Sequence, residues 1–304
     1  MGPLLLSSRT NPVVTAVIGA LFIASSGVLV RLAESSPVTV AVYRCAYALP
    51  VLALITYVES RRHDRLPARP RNLALIAGVF FAVDLIFWHN AIAAVGAGLA
   101  TVLGNLQVLI VGFAAWFFLS EKPHRSLFGA IPVVILGVVL ISGVIGDPYG
   151  ADPALGVIFG VATSIAYAGF ILVLRQGSLD LRRVAGPLFY ATLMSTIAAS
   201  LYGLVFGGID WNPGWPAHGW LIVLALSAQV LGWLLISRSL PRLPAAVTSV
   251  ILLLQPVGAM VLARVTLGER PSPAQLAGAA LILIGVVIAT TGHQRSLEPE
   301  GALV

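Results

Sequence analysis

Leu119–Val139 reads LSEKPHRSLFGAIPVVILGVV, and Leu267–Val287 reads LGERPSPAQLAGAALILIGVV. A single offset of 148 residues superposes Leu119 on Leu267, Glu121 on Glu269, Pro123 on Pro271 and Gly137 on Gly285, and it carries Gln107 onto Gln255. The chain is therefore a tandem duplication, with copies expected over 1–148 and 149–304. Five apolar, helix-length segments fit in each copy. An odd number of crossings turns the second copy upside down relative to the first. Inverted repeats that share a site near the bilayer midplane are a mark of secondary transporters.

Composition puts the chain in lipid. It is 58% hydrophobic and 10% charged, with a mean hydropathy of +0.96. Soluble domains carry about 25% charged residues. A spanning helix needs about 20 apolar residues, and ten such segments are expected at 12–33, 38–58, 72–93, 97–119, 127–145, 153–174, 186–206, 217–239, 245–266 and 273–292. The fold expected is an all-α integral membrane protein, with ten transmembrane helices arranged as two inverted five-helix repeats around a central cavity. The first segment is too long for a signal-peptide core and lacks a convincing cleavage site. One cysteine, Cys45, excludes an intramolecular disulfide. CxxC, HExxH, nucleotide loops and the GxSxG elbow are absent. No cofactor, metal, nucleic-acid partner or enzymatic activity is expected.

Cytoplasmic loops collect Lys and Arg. With the N-terminus inside, fourteen basic residues fall on the inner side, including Arg61, Arg62, Arg65, Lys122, Arg182 and Arg183. Only Arg31, Arg264 and Arg270 fall outside. Both termini are thus expected in the cytoplasm. Trp211, Trp215 and Trp220 flank the outer start of segment 8, as an interfacial aromatic belt does. The turn at Glu121 is then inside and its counterpart at Glu269 outside.

The junctions AWFFLSEKP (115–123) and ARVTLGERP (263–271), together with SPVTVAVYR (36–44) and LPAAVTSVILLLQPVGAM (243–260), resemble the drug/metabolite transporter superfamily in its ten-helix EamA-type branch. The resemblance covers roughly 12–292. It implies a monomeric or homodimeric carrier in the bacterial inner membrane, peripheral helices 5 and 10, and small metabolites as cargo. The cargo is often exported, and amino-acid exporters, aromatic ones included, belong to this branch. One departure is that Asn105-Leu106-Gln107-Val108 lacks the proline that the second copy has at Pro256.

Intramembrane ionisable groups are costly and usually functional or paired. Arg44 is the basic residue inside a crossing and Asp84 the deep acidic one. At 1.5 Å per residue they lie about 9 Å and about 13 Å from the same boundary. They are expected either to pair, pinning helices 2 and 3, or to meet a charged substrate. Trp88 shares the face of Asp84, whereas His89 points about 140° away. Gln107 and Gln255 each lie about 15 Å deep and either bond between helices or line the cavity. Pro256 frees a carbonyl near Leu252 and is the expected gating position. Asn105, Ser164, Tyr167, Gln229 and Trp233 complete the expected substrate-binding set. Gly129, Gly137, Ala277 and Gly285 put small residues on segments 5 and 10, for close packing within the molecule or in a dimer.

The leading expectation is an exporter of amino acids or similar small metabolites that works by alternating access. A sugar-phosphate or nucleotide-sugar exchanger is the alternative, weakened because phosphate recognition needs fixed cations. An integral membrane enzyme acting on lipids is the second alternative, and the scattered single carboxylates argue against it.

Overall fold

The computed structural model describes residues 11–119, 125–142, 145, 148–178, 180, 182–239, 251–252 and 254–295. The turn at Glu121, the start of the ninth segment, Arg9 and Arg242 lie outside the described residues. The first crossing is α1 (Pro12–Ala24) followed by α2 (Ser26–Leu32); α3 (Pro37–His63) and α4 (Ala68–Val95) are unbroken. The fourth crossing is α5 (Ala97–Gly104) and α6 (Gln107–Leu119), and α7 (Arg125–Ile141) ends the first copy. The second copy holds α8 (Pro153–Gly177) and α9 (Ala185–Phe206). Its eighth crossing joins α10 (Ala217–Leu224), a π-helical stretch (Ala225–Gly232) and α11 (Trp233–Ser239). Then come α12 (Leu254–Leu267) and α13 (Pro273–Arg295).

Helix starts follow local chemistry. Pro12, Pro37 and Pro153 open their helices, each behind a capping side chain: Asn11, Ser36 and Asp152. The outward faces are apolar, with Leu54, Leu204, Val205, Phe206 and Val265 exposed. Such a surface belongs against hydrocarbon chains. Six of the described helical stretches are long and apolar enough to cross a membrane, and shorter apolar helices accompany them.

The fourth crossing bends although it lacks the proline. Asn105 N donates to Val102 O, Leu106 N to Leu103 O and Val108 N to Asn105 O, so the ladder tightens to i→i−3 bonds there. The side chain of Asn105 donates to Thr101 O at 2.9 Å. An amide competing for backbone partners thus makes the kink expected of a proline.

Inversion is visible in the packing of the quoted repeat against itself. A Cβ on Gly137 would lie 2.7 Å from Gly278 O, and one on Gly278 would lie 2.6 Å from Gly137 O. Gly285 in turn faces Val134 and Ala130. As one residue number rises its partner's falls, so α7 and α13 run antiparallel. The Gly137–Gly278 contact maps onto Gly285–Ala130 under the 148-residue offset, as a pseudo-two-fold requires. Gly137 and Gly285 therefore serve packing within the molecule, whereas Gly129 has nothing within 4 Å of an added Cβ. Ala277 is exposed on the far side, and its neighbour Gly278 makes the contact.

The two halves are also tied at both ends of the bundle. The buried carboxylate of Glu269 accepts from Ala97 N (2.7 Å) and Gly98 N (3.2 Å), at the N-terminus of α5. Gly96, at φ +89°, leaves no room for a Cβ there: one would lie 2.9 Å from Glu269 Oε2. At the opposite, arginine-rich end, Glu59 accepts from Ala185 N (3.0 Å) and Gly186 N (3.2 Å), at the start of α9. Each carboxylate meets the unsatisfied N–H groups and positive dipole of a helix from the other copy.

Candidate functional site

A cavity of about 80 Å³ lies between the two copies, with polar and aromatic walls. From the first copy Arg44 (α3), Asp84 and Trp88 (α4), and Asn105 at the α5–α6 kink face it. The second copy contributes Thr163 and Tyr167 (α8), Trp233 (α11) and Gln255 (α12). Seven of the ten expected side chains therefore line one cavity: Arg44, Asp84, Trp88, Asn105, Tyr167, Trp233 and Gln255.

The direct Arg44–Asp84 ion pair does not form. No carboxylate oxygen of Asp84 comes within 4.0 Å of the Arg44 guanidinium nitrogens; the ion pairs among the described residues are Asp180 with Arg182 and with Arg183. Similar depth brings the two groups to one cavity, but each is drawn to its own side. Arg44 Nη2 donates to Gln229 Oε1 at 3.2 Å, and the guanidinium carbon lies 5.9 Å from the centre of the Trp88 ring. Arg44 Nε and Nη1 are buried with no acceptor. The Asp84 carboxylate is held instead by the hydroxyl of Thr163 on α8, which also lies 2.8 Å from Asp84 O.

Three expected residues lie elsewhere. Gln229 is fully buried behind Arg44, with its amide nitrogen 3.2 Å from Thr192 Oγ1, so it orients the guanidinium from the π-helical stretch. Such stretches often occur at functional sites. Ser164 is turned away from the cavity and donates to Leu103 O (2.8 Å) and Gly160 O (2.7 Å), joining α8 to α5. Gln107 is half-buried and does not line the cavity. The kink at Asn105–Leu106 breaks the register between α5 and α6, and Asn105 takes the inward position. Pro256 is buried in the first turn of α12. His89 is buried with Nδ1 bonded to Pro37 O at 3.0 Å, outside the central cavity.

Sequence reasoning missed Thr163. The signal was present: Thr163 and Tyr167 are four residues apart and share a helical face as well as Ser164 and Tyr167 do. Only the position of Asp84 across the interface tells the two apart. The contrast is testable. Thr163→Val, which keeps shape and removes the hydroxyl, is expected to raise KM for the transported solute about tenfold, the effect of losing about 1.4 kcal/mol. Ser164→Ala is expected to lower stability by about 1 kcal/mol and leave KM unchanged. Flux in proteoliposomes and thermal unfolding in detergent read the two effects.

Comparison with known proteins agrees with this architecture. The model of the EamA-like transporter family matches twice, over residues 10–143 and 154–291. The uncharacterized transporter YwfM of Bacillus subtilis (strain 168) is 23% identical over 295 residues, covering 94% of this chain and 96% of the relative. An uncharacterized transporter of Archaeoglobus fulgidus is 25% identical over 224 residues, covering 73% and 77%. A solved crystal structure has the same fold, with a TM-score of 0.62 at 16% identity, covering 96% of this chain and all of its own. With each five-helix half matched, the chain belongs to the EamA-like transporter family and is a membrane transporter.

Proposed function

We propose that the protein exports zwitterionic amino acids, or small metabolites of like charge, across the bacterial inner membrane, with both termini in the cytoplasm and the two halves giving alternating access. One observation carries this reading. A guanidinium with two unfilled nitrogens and a carboxylate face the same cavity without bonding to each other. A buried charge without a partner is expensive, so a ligand carrying both complementary charges is the natural occupant. Its carboxylate would accept from the free N–H groups at one edge of the Arg44 guanidinium, a group well suited to carboxylates. Its ammonium would approach Asp84, with Trp88, Tyr167 and Trp233 offering ring faces to the cation. The amides of Asn105 and Gln255 would fix orientation. A phosphate dianion would meet one arginine and a repelling carboxylate, which disfavours the sugar-phosphate reading.

The cavity is contracted in this conformation: about 80 Å³ compares with about 30 Å³ for one water in the liquid. Solute entry then requires the halves to part. Purified protein in liposomes, preloaded with unlabelled amino acid, is expected to accumulate labelled amino acid by counterflow. Analogues keeping both charges should compete, while the corresponding amine and acid alone should not. Asp84→Asn should lower affinity at least tenfold, about 1.4 kcal/mol. Exchange of sugar phosphates with none of amino acids would overturn the reading.

A further inference from the structure

A second and larger cavity, about 340 Å³, opens at the Glu269 end of the bundle. It falls within the range of about 300–1,000 Å³ typical of small-molecule sites. Its walls are the end of α2, the link into α3 and the end of α4, with Arg31, Glu34, Ser35 and His89 as the polar groups. Buried Val30 and Ile92 give it an apolar floor.

Three features set this cavity apart from an ordinary surface groove. Arg31 and Glu34 carry opposite charges three residues apart, yet neither has an oppositely charged atom within 4.0 Å among the described residues. Glu34 holds a left-handed backbone at φ +46°, uncommon for a residue with a side chain. His89 is 1% exposed, and its Nε2 is buried with no hydrogen-bond partner while Nδ1 is occupied by Pro37 O. Unpaired buried polar atoms are rare and call for an explanation.

The position of this cavity gives it a role. Trp88 and His89 are consecutive on α4, with ring centres 5.4 Å apart. Trp88 lines the central cavity and His89 the second one. The two rings therefore form the partition between the cavities.

We propose that the second cavity is a separate binding station for the transported zwitterion, entered from the central cavity past the Trp88–His89 partition. Arg31 holds the carboxylate and Glu34 the ammonium, with His89 in the wall that faces Trp88. This inference rests on the proposed amino-acid cargo. With the termini inside, the station lies on the release side. Exposure makes it weaker than the central site, because charge pairs in contact with water contribute little. A weak last station suits release.

Equilibrium binding of tritiated L-alanine and L-phenylalanine to the purified full chain in nanodiscs tests the proposal. Two equivalents are expected, one of higher and one of lower affinity. Arg31→Ala combined with Glu34→Gln, both exposed positions, should remove the weaker equivalent and keep the tighter. Arg44→Ala should do the reverse. A single equivalent that Arg44→Ala abolishes and the Arg31/Glu34 pair of changes leaves intact would overturn the second station while leaving the central site standing. Two equivalents that both survive the Arg31/Glu34 changes would overturn it as well. Binding of neither amino acid to the unaltered chain would sink the cargo and the station together.

Discussion

Arg44→Ala is expected to reduce amino-acid counterflow at least about 100-fold without lowering the stability of the folded protein. The first half of that expectation comes from the unfilled nitrogens. A hydrogen bond to a charged group contributes about 1.5–3 kcal/mol; two of them to a substrate carboxylate amount to at least about 100-fold at tenfold per 1.4 kcal/mol. The second half comes from what Arg44 does in the absence of substrate. Its one side-chain hydrogen bond is to Gln229, and Nε and Nη1 have no acceptor. Removing an uncompensated buried charge does not weaken a fold and often strengthens it. A structural ion pair would behave oppositely, since breaking it destabilises by about 3–5 kcal/mol. Arg44→Lys separates charge from shape: it keeps the cation and loses the planar fork, so it should recover part of the affinity and not all. Flux in liposomes with thermal unfolding in detergent decides. A large fall in unfolding temperature for Arg44→Ala would assign the residue to the scaffold.

The fold was legible because its signals are long and repeated. Twenty apolar residues per crossing, arginines at alternate loops and a repeat at constant offset each integrate over many positions. The lining of the candidate cavity was legible to about one residue. Depth along a helix is read directly at about 1.5 Å per residue, which is why Arg44 and Asp84 do share a cavity. Rotation about a helix is less forgiving: neighbours are about 100° apart. Ser164 was expected where Thr163 serves, and Ala277 where Gly278 serves. Gln107 was misplaced for another reason. The kink at Asn105–Leu106 resets the register, and the proline that would have announced it is absent. Which side of the cavity each charge prefers depends on partners from the other copy, Gln229 for Arg44 and Thr163 for Asp84. No periodicity within one helix encodes a contact made 185 or 79 residues away along the chain.

A large effect on stability is expected at Gly137, and Gly129 on the same helix provides the control. Both lie on α7, and both read as small residues suited to close packing. At Gly137 an added Cβ would stand 2.7 Å from the Gly278 carbonyl oxygen and 2.8 Å from Ile282 Cγ1. The first is backbone and cannot rotate aside, so α7 and α13 must separate along their length. Overpacking of this kind costs about 1–3 kcal/mol. At about 2–4 °C per kcal/mol for chains of 150–250 residues, Gly137→Ala should lower the unfolding temperature by several degrees. Gly129 has nothing within 4 Å of the built Cβ. Gly129→Ala should therefore leave that temperature unchanged or raise it, by up to the roughly 1 kcal/mol by which alanine exceeds glycine in a helix. Gly278→Ala should match Gly137→Ala, because the clash is reciprocal at 2.6 Å. Equal responses at Gly129 and Gly137 would show that α7 does not meet α13 through this face. The antiparallel contact by which the duplicated halves recognise each other would then have to lie elsewhere.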